Sequence, residues 1–191
     1  MTTVALAIGV QKDAGLPPEV GGIVHMDGVE VCIDRARKVL DACRAADIPI
    51  VFCQEVHRAD KVDFGRELDG AEGEHCLEGG PGTDLVEGFS PAGPREYLIV
   101  QRRYCAFYGT DLEILLRGLG ATRLILFGNL TDVNVHYTFL GAHMRDFHLK
   151  VLSDAGIGSN ETRHEAAFEA MAYLQRDAVC TSAELISELS R

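Results

Sequence analysis

The chain has 191 residues, of which 47% are hydrophobic and 25% charged, and its formal net charge is −11. That size and balance suit one soluble globular domain over residues 1–191. The acidic surface argues against nucleic acid or an anionic membrane as partner, since both require a basic face.

No apolar run approaches the roughly 18 residues that a membrane span needs. The run Thr3–Ile8 is too short for a secretory leader and reads better as a strand. Six cysteines (Cys32, Cys43, Cys53, Cys76, Cys105, Cys180) lack C-x-x-C spacing. They are expected to be reduced thiols in a cytoplasmic protein.

Residues 3–8 form the first buried strand, and its tail Gly9-Val-Gln-Lys-Asp13 opens at the carboxyl edge of a sheet. Residues 14–28, with Pro17-Pro18 and paired glycines, read as a loop. Val29–Ala46 carries Val31, Ile33, Val39, Leu40 and Cys43 at helical spacing between basic residues. Pro49–Cys53 is a second buried strand, followed by Gln54-Glu-Val-His57. The polar, glycine-rich stretch 58–95 is long enough to be a lid or binding loop.

Tyr97–Val100 is the third strand, and Thr110-Asp111 opens a helix carrying Leu112, Leu115, Leu116 and Leu119. Residues 123–128 form a fourth strand. It turns at Gly128 into a helix over 132–146, entered through Thr131 and Asp132. Residues 148–152 are a fifth strand. A helix from Asn160 or Glu161 to about Leu174 follows, with Ala166, Phe168, Met171 and Leu174 facing inward. Ala178–Thr181 is the last strand, and Ser182 caps a final helix to Leu189. This alternation predicts a three-layer α/β/α fold with a mostly parallel central sheet.

A strand that turns directly into a helix N-terminus is where such sheets keep their chemistry. The 123–138 segment places Asn134 there. Free N–H groups and the positive end of the helix dipole suit negative charge at that point, but an amide is a poor nucleophile.

Three segments together resemble the isochorismatase-like cysteine hydrolases, a group that includes nicotinamidases and ureide hydrolases. They are the first strand with its Gln-Lys-Asp tail, Arg103-Tyr-Cys-Ala-Phe-Tyr-Gly-Thr-Asp-Leu112, and Gly128-Asn-Leu-Thr-Asp-Val-Asn-Val-His-Tyr-Thr138. The family forms of the last two are close to R-Y-S-A-F-x-G-T-x-L and G-x-x-T-D-x-C-V. The resemblance implies a catalytic Asp, Lys and Cys, in which the thiolate attacks an amide-type carbonyl. Those positions hold Gly9, Gln101 and Asn134, which supply neither charge nor nucleophile. The acid-catalysed isochorismatase route also depends on the acid that Gly9 replaces. The resemblance further places a cis bond at Leu130–Thr131 and implies a homo-oligomer, a dimer or tetramer.

The residues expected to act are therefore Asn134, His136, His57 and Tyr104. Gly9, Gln11, Gln54, Gln101, Arg103, Cys105, Phe107, Leu130 and Thr131 are expected to contact substrate. Each group also has a structural alternative. Asp132 caps its helix, Tyr104 anchors a loop, and His136 points into the core or an interface. Nicotinamidases of the family use an Asp-x-His…His metal set. Glu55-Val-His57 provides two ligands and Lys61 falls at the third position, so no metal is expected. No phosphate loop is present, so no cofactor is expected.

A neutral, amide-lined pocket would favour a small uncharged ligand. Three functions follow. The first is an enzyme with altered, non-thiolate chemistry. The second is an inactive binding or partner protein. The third is a C–N hydrolase using Cys105 or Cys53.

Overall fold

The computed structural model describes residues 2–190. Six strands form one sheet: β1 Thr3–Ile8, β2 Ile50–Glu55, β3 Glu96–Gln101, β4 Arg123–Gly128, β5 His148–Leu152 and β6 Val179–Cys180. Their order is β3-β2-β1-β4-β5-β6, and every neighbouring pair is parallel. Crossovers run one way from β1 through β2 to β3 and the other way from β4 through β5 to β6. The topological switch point lies between β1 and β4, where a crevice opens at the carboxyl ends.

Five α-helices cover the sheet: α1 Val29–Ala45, α2 Leu112–Gly118, α3 His136–His143, α4 Glu161–Leu174 and α5 Ser182–Leu189. Near-continuous apolar strands such as Val4–Ile8 are buried because both faces are covered. On one face Leu112 and Leu116 of α2, Phe139 and Ala142 of α3, and Phe168 and Met171 of α4 pack on Val4, Leu6, Ile8, Leu124 and Leu126. On the other, Ala36, Val39, Leu40 and Cys43 of α1 and Leu185 of α5 pack on Ala5, Ala7, Phe52, Ile125 and Phe127. Each fully buried Phe or Leu contributes about 1.5–3 kcal/mol relative to an exposed one. The three-layer, parallel α/β/α expectation holds.

Several local expectations shift. β2 extends through Gln54 and Glu55, so Glu55 is fixed on a strand. The helix after β4 begins as a single π turn, Thr131–Val135, before α3. Asp132 does not cap it; its carboxylate accepts from Ser159 N at 2.8 Å and Ser159 Oγ at 2.6 Å. Thr181, not Ser182, caps α5, in a reciprocal capping box with Glu184. On α4 the inward residue is Ala167, while Ala166 and Leu174 face outward. Val31 of α1 is likewise exposed. The cis bond is Asn129–Leu130, one residue before the expected position. All six cysteines are free. Among the described residues no helix is long and apolar enough to cross a membrane.

β1 and β4 approach so closely at their ends that Gly128 has no room for a side chain. Its φ is +122°, and a Cβ there would overlap the Ile8 carbonyl oxygen. Gly128→Ala is expected to destabilise the protein by about 2–3 kcal/mol, through both φ and overlap. A urea denaturation midpoint equal to that of the unsubstituted protein would contradict this account of the strand junction.

Candidate functional site

Gly9 and Asn129 flank the crevice. Gly9 N donates to Cys53 O at 2.9 Å and Asn129 N to Ile8 O at 2.8 Å, which locks the ends of β1, β2 and β4 together. Gly9 has φ +58°, and a Cβ there would overlap the Asn129 carbonyl oxygen. The backbone is thus closed against any side chain at the place where the resemblance puts the catalytic acid.

Gln11 is a strut, its amide held within the protein. It donates to Glu55 O at 2.9 Å and Thr83 O at 2.8 Å, and accepts from Glu55 N at 2.7 Å. Gln54 likewise donates to Thr83 O at 2.8 Å. These bonds clamp the long 58–95 segment over the strand ends. They also fix the backbone of Glu55, a residue only 3% exposed.

The Glu55 carboxylate lies against the crevice. Its Oε2 accepts from Asn134 Nδ2 at 2.6 Å. Its Oε1 is 3.2 Å from His57 Nε2 and 3.5 Å from His75 Nε2. Glu67 reaches the same ring from below, with Oε2 at 3.2 Å from His57 Nε2. One ligand atom from each of Glu55, His57, Glu67 and His75 falls within 4.8 Å of the others, and all four residues are buried. The expectation of no metal rested on a count of two ligands; the folded 58–95 segment supplies Glu67 and His75 as well.

Hydrogen bonding in this cluster is incomplete. His57 Nδ1, both Glu67 oxygens and His75 Nε2 are buried without a hydrogen-bond partner. The Glu67–His57 contact has ion-pair distance but not hydrogen-bond alignment. His75 Nδ1 lies 2.7 Å from Gly73 O, which can only accept, so Nδ1 carries the hydrogen. In the neutral ring Nε2 is then bare and faces the cluster. A backbone-anchored imidazole with its other nitrogen free is the arrangement of a metal-ligating histidine. His57 stacks on Phe64 at 3.9 Å between ring centroids, which fixes its plane.

Burial alone would push the Glu55 carboxyl up, but the bonds from His57, His75 and Asn134 hold it down at about 2. Burial pulls both imidazoles down, yet Glu55, with Glu67 at His57 and Glu72 at His75, carries each up to about 9. Without a cation in the cluster, the two rings serve as its positive charge. Asp13, also at this crevice, is pushed up to about 6 by burial. Its Oδ2 accepts from the Cys76 thiol at 3.2 Å, and burial drives that thiol well above the ordinary range. The pocket is therefore acidic rather than neutral, with Asp13, Glu55, Glu67 and Glu72 around two imidazoles.

The other expected residues divide clearly. Asn134, Gly9, Gln11 and Leu130 line a small cavity of about 20 Å³ together with Asp13, Glu55, Glu72 and His75. Through Ile23, Glu72 and His75 this cavity adjoins an open groove of about 820 Å³ walled by Val24, Tyr104, Val133 and Tyr137. Tyr104 donates to Glu72 Oε2 at 2.8 Å, and so ties the lid to the loop after β3.

Gln101 is buried beneath that loop and donates to Arg103 O at 3.0 Å. Arg103 anchors loops by donating to the carbonyls of Asp63 and Arg102. Phe107 belongs to the core, stacked on Phe147 and under Arg145, and does not face the crevice. Thr131 is held by His164 Nδ1 at 2.7 Å from its Oγ1. His136 is half-buried, its pKa lowered by burial, and lines neither cavity nor groove. Cys53 lies wholly in the core with its thiol pushed up to about 12, and burial also raises Cys105. Neither thiol contacts a carboxylate or imidazole among the described hydrogen bonds, whereas the unremarked Cys76 does.

Sequence reasoning weighed Glu55 as half of a two-ligand set and set it aside, and it missed Glu67, His75, Asp13 and Cys76 beside the crevice. The one available signal was Glu55-Val-His57 at a strand end, followed by further Glu and His in a long lid.

Comparison with known proteins gives one consistent picture. The Isochorismatase domain family matches residues 3–184. Nicotinamidase 3 of Arabidopsis thaliana is 26% identical over 136 residues, covering 70% of this chain and 68% of that protein. A probable inactive nicotinamidase of the same plant is 25% identical over 169 residues, covering 86% and 85%. The crystal structure of an isochorismatase family protein from Desulfovibrio vulgaris superposes with a TM-score of 0.85 at 26% identity, covering 100% and 99%.

The charged rings make a pH-dependent contribution in metal-free protein. Both folded pKa values, about 9, exceed the unfolded value of 6.5. The folded state therefore retains protons that the unfolded chain releases. The associated stability is complete below about pH 6.5 and is lost as the pH rises through about 9. Chelator-treated protein should show a urea midpoint that falls from about pH 6.5 to about pH 9, with a shallower fall in His75→Asn. Parallel profiles for the two proteins would contradict the assignment.

Proposed function

The chain belongs to the isochorismatase family, and we propose that it is a metal-assisted enzyme acting on a small organic molecule without a thiolate nucleophile. The observation that carries this reading is the buried Glu55–His57–Glu67–His75 cluster, with its unpartnered Glu67 oxygens and bare His75 nitrogen, beside Asn134. Glu67 has an ion-pair contact with His57 but no aligned hydrogen bond on either oxygen, a cost that a bound cation would relieve. A mixed imidazole and carboxylate set suits a divalent first-row cation.

When bound, such a cation supplies Lewis-acid polarisation of a carbonyl or of water. The remaining roles fall to the chain. Glu55, His57, Glu67 and His75 hold the cation, and Asn134 holds Glu55. Asp13, with a pKa of about 6, is the carboxyl on the cavity wall suited to exchanging a proton near neutral pH. The Tyr104–Glu72 bond holds the 58–95 segment against the loop after β3, at the border of cavity and groove. The groove takes the body of the substrate, and its acidic surround favours uncharged or cationic molecules over anions. Kinship with a nicotinamidase makes a C–N bond of the amide or ureide type the first bond to test. Six free thiols support a cytoplasmic setting. Exposed Leu98 and Val100 on edge strand β3 support a homo-oligomer.

One observation favours a second reading, an inactive ligand-binding or partner protein. The cavity of about 20 Å³ beside Asn134 has room for little more than a water. A relative is itself a probable inactive nicotinamidase.

Purified protein dialysed against a divalent metal mixture should retain roughly one equivalent per chain by elemental analysis. Turnover on a panel of small amides and ureides should vanish with chelator and survive iodoacetamide. Turnover that is chelator-resistant and iodoacetamide-sensitive would overturn the enzyme proposal in favour of a relocated cysteine. Ligand-induced thermal stabilisation with no product from any amide or ureide would favour the inactive reading.

A further inference from the structure

We infer that Asn134, at the position where the family carries its nucleophile, is a positioning residue for a divalent cation held by Glu55. The inference rests on the metal-assisted reading and assigns Asn134 its part in it.

The Glu55 carboxylate is divided between two tasks. Oε2 is held by Asn134 Nδ2 at 2.6 Å, while Oε1 faces His57 and His75 in the ligand cluster. A hydrogen bond to one oxygen of a ligating carboxylate fixes the direction in which the other is offered. Asn134 is 7% exposed, so water does not substitute freely for its amide.

The backbone around it is equally fixed. Asn134 sits on the π turn, whose Thr131 N donates to Ile157 O at 2.8 Å and whose Val135 N donates to Leu130 O at 3.1 Å. This holds the amide to a narrow position between β1 and β2.

Gly9 completes the arrangement. A Cβ at Gly9 would lie 3.5 Å from Asn134 Nδ2, so an acid there would compete with Glu55 for the same amide. With Gly at that position, Glu55 is the one carboxylate hydrogen-bonded to Asn134 among the described residues. The acid next to residue 134 thus comes from β2 instead of β1. The two departures from the family pattern, at 9 and 134, form one coupled change: a neutral donor at 134 suits a ligand carboxylate on β2, whereas a thiolate would be repelled by it.

The test is Mn²⁺ affinity by isothermal titration calorimetry on the full chain. The variants are Asn134→Ala, Asn134→Leu and, as a structural control, Thr138→Val. Asn134→Leu keeps the branching and the number of side-chain heavy atoms while removing the donor, so it guards against simple collapse of the site. Thr138 is buried on α3, where its Oγ1 accepts from Ala106 N at 3.0 Å and donates to Tyr104 O at 3.4 Å, and it makes no hydrogen bond to the four cluster residues. Both Asn134 variants are expected to bind Mn²⁺ about 10–100-fold more weakly with unchanged far-UV circular dichroism. Thr138→Val should lose stability and keep its Mn²⁺ affinity. Asn134 variants that bind like the unsubstituted protein would overturn the positioning role alone. So would an equal loss of affinity in Thr138→Val. Absence of Mn²⁺ binding by the unsubstituted protein would overturn this inference together with the metal reading.

Discussion

The hydrogen bond from Asn134 to Glu55 joins the two halves of the pocket. On one side stands the turn after β4, with its amide side chain and tightly fixed backbone. On the other stands the end of β2, with a carboxylate buried among two imidazoles and a second carboxylate. Removing the donor leaves a buried oxygen unpaired, at a cost of about 1–3 kcal/mol, and frees the carboxylate that organises the cluster. The sheet brings these halves together because β1 pairs with β2 on one side and β4 on the other, so that all three strands end side by side. At that point glycine is required at Gly9 and Gly128 by φ and by the near-overlap of neighbouring carbonyls.

Gly9, Gln101 and Asn134 carry no charge at the positions where the resemblance puts a catalytic acid, a cation and a thiolate. Around them Asp13, Glu55, Glu67 and Glu72 create a field that two imidazoles only partly neutralise. Burial raises Asp13 and Glu72 while the histidines hold Glu55 down. Within a few ångströms the carboxyl groups thus differ in proton affinity, the condition that separates a ligand from a proton donor.

Much of the fold was legible because strand and helix periods alternate cleanly and the apolar strands lack polar interruptions. The crevice was legible too, since a strand-to-helix turn marks it on any open α/β sheet. What escaped was set by contacts distant in sequence. Glu67 and His75 reach the cluster because Gln11 and Gln54 hold Thr83 at the strand ends and the backbone of His57 pairs with Cys76 and Glu78. No periodic pattern announces such a loop. Asp132 looked like a helix cap, yet Ser159 from another segment claims its carboxylate. The inward face of α4 was misplaced by one residue at Ala166, where neighbouring alanines give no hydrophobic contrast. Phe107 lies in a motif that borders the pocket, but its ring packs away from it against Phe147.

We hold that the pocket beside Asn134 centres on a cation site that this residue supports, with no attacking side chain. Anomalous diffraction from crystals of the protein grown with Mn²⁺ tests it most directly. The account predicts one anomalous peak per chain within bonding distance of Glu55, His57, Glu67 and His75, with Asn134 still donating to the outer oxygen of Glu55. A peak elsewhere, or none while the four side chains stay ordered, would contradict it.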